Sequence, residues 1–386
     1  MTLIVQKYGG TSVGNIDRIT WVANNIANTL KSGVKLLVVV SAMSGDTDRL
    51  LNLAQQIAKT TKSRELDNLV ATGEQITISL LSLALQNLNI KSRCYCGWQI
   101  PIITTDNFSE ARIKHIDTNK INNDLNSNTV VIIAGFQGVS EHFDITTLGR
   151  GGSDTSAVAL AIVTNATECQ IYTDVNGVYN ADPNKVTNAR RIDKINGALM
   201  FEASSLGTKV LHVRSCELAY RYKTNIRVLS TFAPQDQGSL IMNQIELENY
   251  PIISLSTNEH QSLCIINLEN VAIAINDIVC RLYKISNIDM LNINQKHISF
   301  ALTELSSNDI KRELNNIAIE HTIINNLTKI SLIGSGFRSN RQLNQNIWRI
   351  LNGTEVFAVS HNEISMSILV HSLDATVARN SLAKLI

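Results

Sequence analysis

Neither sign of charge is in excess. Lys and Arg number 34 against 33 Asp and Glu over 386 residues, so the chain lacks the basic face that nucleic acid or an anionic membrane would require. The partner expected from charge alone is a small molecule. Paired cysteines are lacking too. The six, at positions 94, 96, 169, 216, 264 and 280, sit mostly in apolar runs without C-x-x-C zinc spacing, which excludes a disulfide framework and points to reduced, structural thiols. No metal ligands are assigned. Nor is there a long apolar run: the opening MTLIVQK holds four apolar residues before its lysine, too few for a signal-peptide core, and nothing further on approaches a membrane span. A cytoplasmic location is the expectation.

What is present is a sizeable apolar fraction, 44%, enough for two or three domains. In the first half, short apolar runs at Leu3 to Gln6, Leu36 to Ser41, Val130 to Ala134 and Gln170 to Asp174 read as strands. Between them Asp48 to Lys59, Gln75 to Leu88 and Ser153 to Val163 carry apolar residues at helical spacing. This alternation predicts an α/β domain over 1–245, with crossover helices on both faces of a parallel sheet. Beyond about 245 the glycine loops thin out. Two stretches, 253–325 and 328–386, then repeat a strand, a helical segment and paired strands, the pattern of compact α+β units. These predict binding or dimerising modules, and their exposed strand edges predict a homodimer or higher homo-oligomer.

Chemistry-bearing residues gather at five places. Directly after the first strand, Lys7-Tyr8-Gly9-Gly10-Thr11-Ser12 offers glycine backbone to an anion and, in Lys7, a mobile full charge, with a helix to follow. Because the lysine precedes the glycines, this is not the G-x-x-x-x-G-K-[ST] loop. Ser41 to Thr47, at the end of an apolar strand, puts small polar residues where open α/β sheets bind ligands. Thr72-Gly73-Glu74-Gln75 opens a helix, where Glu74 reads either as an ammonium-binding carboxylate or as a complement to the helix dipole.

The most informative segment is Leu148-Gly149-Arg150-Gly151-Gly152-Ser153-Asp154-Thr155-Ser156. Arg150 presents a planar fork suited to a carboxylate, Ser153 and the helix start can hold an anion, and Asp154 can orient a lysine or a metal-bound phosphate. An ordinary capped helix would explain Ser153 or Asp154 but not the glycines. The fifth place, Tyr172 to Pro183, is a strand running into a turn that could hold a base and ribose. Lys209, in the glycine-containing turn of Phe201 to Leu211, is a candidate phosphate contact. No Ser-His-Asp arrangement is expected.

KYGGTSVG (7–14), VVVSAMSGDTDRL (38–50), TGEQ (72–75), LGRGGSDTSA (148–157), TDVNGVYNADP (173–183) and FEASSLGTKVLH (201–212) follow one another as they do in the aspartokinases of the amino acid kinase superfamily, which the chain resembles along essentially its whole length. The resemblance implies a three-layer α/β/α kinase domain followed by two ferredoxin-like ACT domains, ATP and Mg2+ as cofactors, and lysine or threonine as an effector. The implied reaction turns L-aspartate and ATP into aspartyl phosphate and ADP, the opening of lysine, threonine, methionine and diaminopimelate synthesis. Position by position, Lys7 and Asp154 would be catalytic. Lys7, Gly9, Gly10, Ser41, Thr173, Asp174, Tyr179 and Lys209 would hold MgATP; after Asp182-Pro183, where such proteins usually have an arginine, stands Asn184, and Lys185 next to it would substitute. Thr47, Glu74, Arg150, Gly151, Gly152 and Ser153 would hold aspartate. In the ACT stretches Asn276-Asp277 replaces the usual Pro-Gly, Asn287-Ile288-Asp289-Met290 is kept, and Glu355 stands where asparagine is common. Another amino acid kinase would not be expected to combine Glu74 and LGRGGSDT with two ACT-like units. An inactive regulatory subunit would be expected to have lost Lys7 or Asp154.

Overall fold

The computed structural model describes residues 2–58, 62–242, 252–269 and 273–386. The domain boundary expected near 245, and Lys59 at the end of an expected helix, lie outside them. The described residues group into two units, one holding 2–58, 62–178, 191–204 and 209–242, the other 179–190, 205–208, 252–269 and 273–386.

The first unit opens with β1 (Leu3–Tyr8), α1 (Ile16–Leu30) and β2 (Lys35–Val40). Helices α2 (Asp46–Ile57), α3 (Arg64–Val70) and α4 (Thr72–Asn87) lead to β3 (Ser92–Tyr95). Four short strands, β4 (Ile102–Thr104), β5 (Ile113–Ile116), β7 (Gln137–Val139) and β8 (Ile145–Thr147), make a side sheet, while α5 (Asn119–Asn126) and β6 (Val130–Ala134) return to the main one. Next come α6 (Gly152–Val163), β9 (Glu168–Thr173), the short strands β10 (Val178–Tyr179), β11 (Arg191–Ile192) and β12 (Lys194–Asn196), and α7 (Gly197–Ser205). The unit closes with α8 (Val213–Arg221), β13 (Ile226–Ser230) and β14 (Ser239–Met242).

The main sheet runs β12-β14-β13-β9-β1-β2-β6-β3 and is parallel except between β13 and β14. Its central strands are apolar on both sides because both are covered. Tyr8, Val38, Val40, Ile132 and Ala134 pack under Ile19, Val22 and Ile26 of α1 and Ile78, Leu81 and Leu85 of α4, while α6 and α8 pack together and α6 covers the opposite face of β1, β2 and β9. This is the three-layer α/β/α arrangement. Register brings Tyr8 level with Val40 and Tyr172, and Val40 level with Ala134, so the carboxyl ends of four central strands open at one rim.

Arg64 to Asn87 forms one stretch long and apolar enough to pass for a membrane span by length and composition, which the sequence pattern did not lead us to expect. It is a core element: half of its apolar window is buried, and Asp67 and Glu74 are among the buried residues.

The second unit contains β15 (Ile252–Asn267), α9 (Ile275–Ile285), β16 (Asp289–Ile293), β17 (His297–Thr303), α10 (Glu304–Asn316) and β18 (His321–Gly334). It ends with α11 (Arg341–Ile350), β19 (Val356–His361), β20 (Ser365–His371) and α12 (Ala375–Leu382). One antiparallel sheet, β16-β17-β15-β18-β20-β19, holds all its strands. The two long strands each serve two ACT modules. Residues 261–267 pair with β17 and the start of β18, over a core of Cys264, Ile266, Ile278, Leu282, Phe300, Ile310 and Leu314. Residues 252–258 pair instead with the end of β18, and Ile252 and Leu255 join the core of Ile330, Leu332, Ile347, Ile368 and Val370. The sequence pattern had placed 253–258 with the first module; they pair with the end of β18, Leu255 lies in the core of the second module, and they supply the fourth strand of its βαββαβ repeat.

Candidate active site

The site begins with alternation along β1. Gln6 and Tyr8 point to the α1 side, where Asn25 donates to the Tyr8 hydroxyl at 2.8 Å. Lys7 therefore points the other way, to the first turn of α6, where its Nζ meets Asp154 Oδ1 at 2.6 Å. The residue is only 8% exposed. Lys7 is thus no mobile charge in a loop, as its place beside two glycines suggested: the strand extends to Tyr8 and the ion pair holds the ammonium.

Beyond Tyr8 the chain turns over Gly9, whose N–H donates to Tyr172 O at 3.1 Å, and enters a 3-10 turn, Gly10–Val13. One strand over, Ser41 N–H donates to Tyr8 O at 3.1 Å, and α2 then begins with Asp46 and Thr47 in its first turn. Thr173 closes β9, its hydroxyl donating to the exposed Asp174 carboxylate at 3.0 Å. Lys7, Gly9, Gly10, Ser41, Thr173 and Asp174 therefore share one rim.

Glu74 comes to the same rim from α4. A Cβ on Gly73 would lie 2.8 Å from Ala42 Cβ, so glycine lets the helix approach the exit of β2. Glu74 Oε1 then accepts from Ala42 N at 3.0 Å, and Oε2 is buried without a partner among the described residues. The carboxylate is 2% exposed. Burial, opposed by the Ala42 N–H and reinforced by Asp46, pushes its pKa up to about 8. Ala71 before α4 is itself helical, so α3 runs almost directly into α4 and Glu74 does not sit at a free helix end. The dipole explanation loses its footing, and the buried carboxyl needs another reason to be there.

The α6 loop completes the arrangement. Gly151 sits at φ +67° against the His212 ring, which leaves no room for a Cβ. Ser153, nearly buried, backs onto the exit of β6: a Cβ on Gly135 would fall 2.8 Å from its Cβ. Gly152 begins α6, and Arg150 is exposed on the loop. Lys209 is exposed between α7 and α8, also in this unit. Tyr179 and Lys185 belong to the second unit. There Lys185 is paired with Glu259 of β15, and Asn180 O accepts from Leu255 N at 2.7 Å.

Sequence reasoning passed over the buried groups behind the site. Asp67 and Arg214, each inside a helix, hold the segments leading to Arg150; a lone charge amid helical spacing gives no sequence signal. Burial also raises the thiols of Cys216 and Cys264 to about 12, as inert core residues. Among the described residues no group of three or more His, Cys, Asp or Glu is placed to hold a metal ion.

A parallel sheet whose rim carries glycine turns, a fixed lysine and a second helix start defines a phosphotransfer class of α/β/α protein. The chain belongs to the amino acid kinase family, whose pattern matches residues 2–230. Within that family it groups with the aspartokinases. It is 39% identical to an aspartokinase of Bacillus sp. (strain MGA3), over 96% of this chain and 93% of that one. Against an aspartokinase of Pseudomonas aeruginosa it is 41% identical, over 96% and 94%. Its fold is that of E. coli aspartokinase III solved with aspartate and ADP, with a TM-score of 0.82 at 24% identity and 99% of both chains covered.

Proposed function

We propose that the protein transfers the γ-phosphoryl group of MgATP to the β-carboxylate of L-aspartate, giving 4-phospho-L-aspartate and ADP. The observation that carries this reading is Lys7, pinned by Asp154 where the glycine turn leaves β1. An aspartate side chain, with an ordinary pKa of about 3.9, is ionised at neutral pH and needs no general base. The difficulty is bringing it to a polyanion, so catalysis rests on positioning and on positive charge at the group in transfer.

In this reading Gly9 and Gly10 lend backbone N–H groups to the phosphates, Lys7 and Lys209 neutralise them, and Ser41, Thr173, Asp174 and Tyr179 hold the nucleotide. Lys185, one residue past the Asn184 that stands in the place of a customary arginine, substitutes for it. Glu74 takes the substrate ammonium, Arg150 its α-carboxylate, and Thr47, Gly151, Gly152 and Ser153 line the acceptor, leaving the β-carboxylate free to attack. One of its oxygens bonds to the γ-phosphorus as the bond to the β–γ bridging oxygen breaks, and ADP leaves with that electron pair. Mg2+ would arrive on the nucleotide, where it neutralises phosphate charge. The exposed Asp174 suits an ion whose remaining ligands are phosphate and water.

The domain reading is also a proposal: a kinase domain to about 245, then one ACT module over 261–325 and a second over 328–386 that 252–258 complete. These modules would sense an amino acid such as lysine or threonine in a cytoplasmic homo-oligomer that opens lysine, threonine, methionine and diaminopimelate synthesis. The test is to incubate the protein with MgATP and L-aspartate and trap acyl phosphate with hydroxylamine, with and without lysine or threonine. Aspartate-dependent hydroxamate is the expected result; ATP binding without it would move the reading to another acceptor. Arg150→Ala should raise KM for aspartate by about 10- to 100-fold, the loss of a fork-shaped carboxylate contact, and leave KM for ATP within about threefold in the same assay.

A further inference from the structure

We propose that Asp67 and Arg214, outside the site, are the positioning residues that set acceptor affinity by clamping the loop carrying Arg150 and Ser153. The inference rests on the reading of that loop as the aspartate site. Two segments meet behind it, 109–111 and 147–148, tied to each other by Ala111 N–H donating to Thr147 O at 2.9 Å. Asp67, fully buried, takes donors from both: Ser109 N and Oγ at 2.9 Å each, Thr147 N at 2.6 Å and Thr147 Oγ1 at 3.0 Å. Arg214 takes acceptors from both. Its guanidinium donates to Leu148 O and, at 3.0 Å, to Ala111 O.

One carboxylate thus gathers the N–H and O–H groups of the crossing, and one guanidinium gathers its carbonyls. These are charge-assisted bonds, stronger than neutral ones, and a buried donor left unmatched is costly. Immediately after the clamped pair the chain must pass Gly149 at φ +75° and Gly151 at φ +67°. Glycines there permit the turn but do not select it. The clamp does: Leu148 N–H donates to Phe136 O at 2.8 Å while Arg214 holds the carbonyl of the same residue. Arg150 then has a defined origin two residues further on. Among the described residues the nucleotide turn at Gly9 and Gly10 has no hydrogen bond to either Asp67 or Arg214, so a lesion in the clamp should be felt by one substrate.

The prediction is a split between substrates. Asp67→Asn, which puts an amide donor among four donors, and Arg214→Gln should each raise KM for aspartate about tenfold or more, the scale of a buried polar group left unpaired. KM for ATP should stay within about twofold, and the double variant should be little worse than the worse single, since both act on one loop. Thr147→Val and Ser109→Ala remove one hydroxyl each and should move KM for aspartate about two- to fivefold; they test the idea if the stronger variants do not fold. A second readout needs no turnover: amide hydrogen exchange should quicken about tenfold in 147–153 and stay unchanged in 9–13. Parallel rises in both KM values, or exchange quickened throughout, would reduce the clamp to ordinary stability and overturn the proposal. So would an unchanged aspartate KM in a variant of an enzyme that phosphorylates aspartate. A wild-type protein inert toward aspartate would sink the functional reading instead, and the exchange pattern would still decide the clamp.

Discussion

Lys7→Ala is expected to lower kcat at least about a thousandfold, equivalent to about 4 kcal/mol of transition-state stabilisation. The reason is geometric as much as electrostatic. Lys7 is held by Asp154 at 2.6 Å and is nearly buried, so its charge stands ready before the phosphoryl group moves and needs no reorganisation when it does. Alanine would also leave Asp154 without its cation beside the incoming phosphates, changing the local field from attraction to repulsion. Asp154→Asn should cost less, about 10- to 100-fold, because the lysine keeps its charge and loses only its anchor. Single-turnover measurement separates this from nucleotide affinity: the fall must lie in the chemical step. A Lys7→Ala enzyme within a few-fold of wild type would remove the lysine from the mechanism.

Glu74→Gln is expected to stabilise the empty protein at alkaline pH while raising KM for aspartate about a hundredfold or more. Burial pushes the Glu74 carboxyl up to about 8 from an ordinary value of 4.5. Between those values the folded protein keeps a proton that the unfolded chain has released, so stability falls as pH rises from about 4.5 to 8 and levels off above. At about 1.4 kcal/mol per pH unit the loss reaches a few kcal/mol. Glutamine carries no such penalty. Its melting temperature should match wild type near pH 5 and exceed it near pH 8.5. Substrate reverses the balance, because an ammonium beside the partnerless Oε2 favours the ionised carboxylate. Aspartate binding at pH 7 should therefore release close to one proton, measurable by calorimetry in buffers of different ionisation enthalpy. The glutamine variant should release none. Equal melting curves at both pH values would show that Glu74 is ionised in the empty site.

The strands and crossover helices of the first unit were legible because their patterns are local. Val130 to Ala134 is five apolar residues in a row and forms β6 over the same five; Ser153 to Val163 becomes α6 with one residue added at its start. The helix expected from Asp48 begins two residues earlier, since Asp46 and Thr47 suit a first turn as well as a loop. The division of the ACT modules was less legible. Residues 252–258 and 261–267 form one strand, and which core receives each half depends on whether it pairs with the end or the start of β18. Both halves mix apolar with polar residues, IISLSTN and QSLCIIN, so composition gives no preference.

The chain alone was enough to give an α/β domain with helices on both faces of its sheet, the α+β units after it, the order of the glycine turns, and which residues have the chemistry for phosphate and for an amino acid. These depend on residue type, chain direction and short-range spacing. Only the tertiary structure decided that Lys7 is fixed rather than mobile, that Glu74 lacks a helix end to explain it, that Tyr179 and Lys185 group with the second unit, and that Asp67 and Arg214 stand behind the acceptor loop. Each of these depends on burial or on partners far along the chain. A carboxylate is written with the same letter whether it faces water or four buried donors, and the fold alone makes the difference.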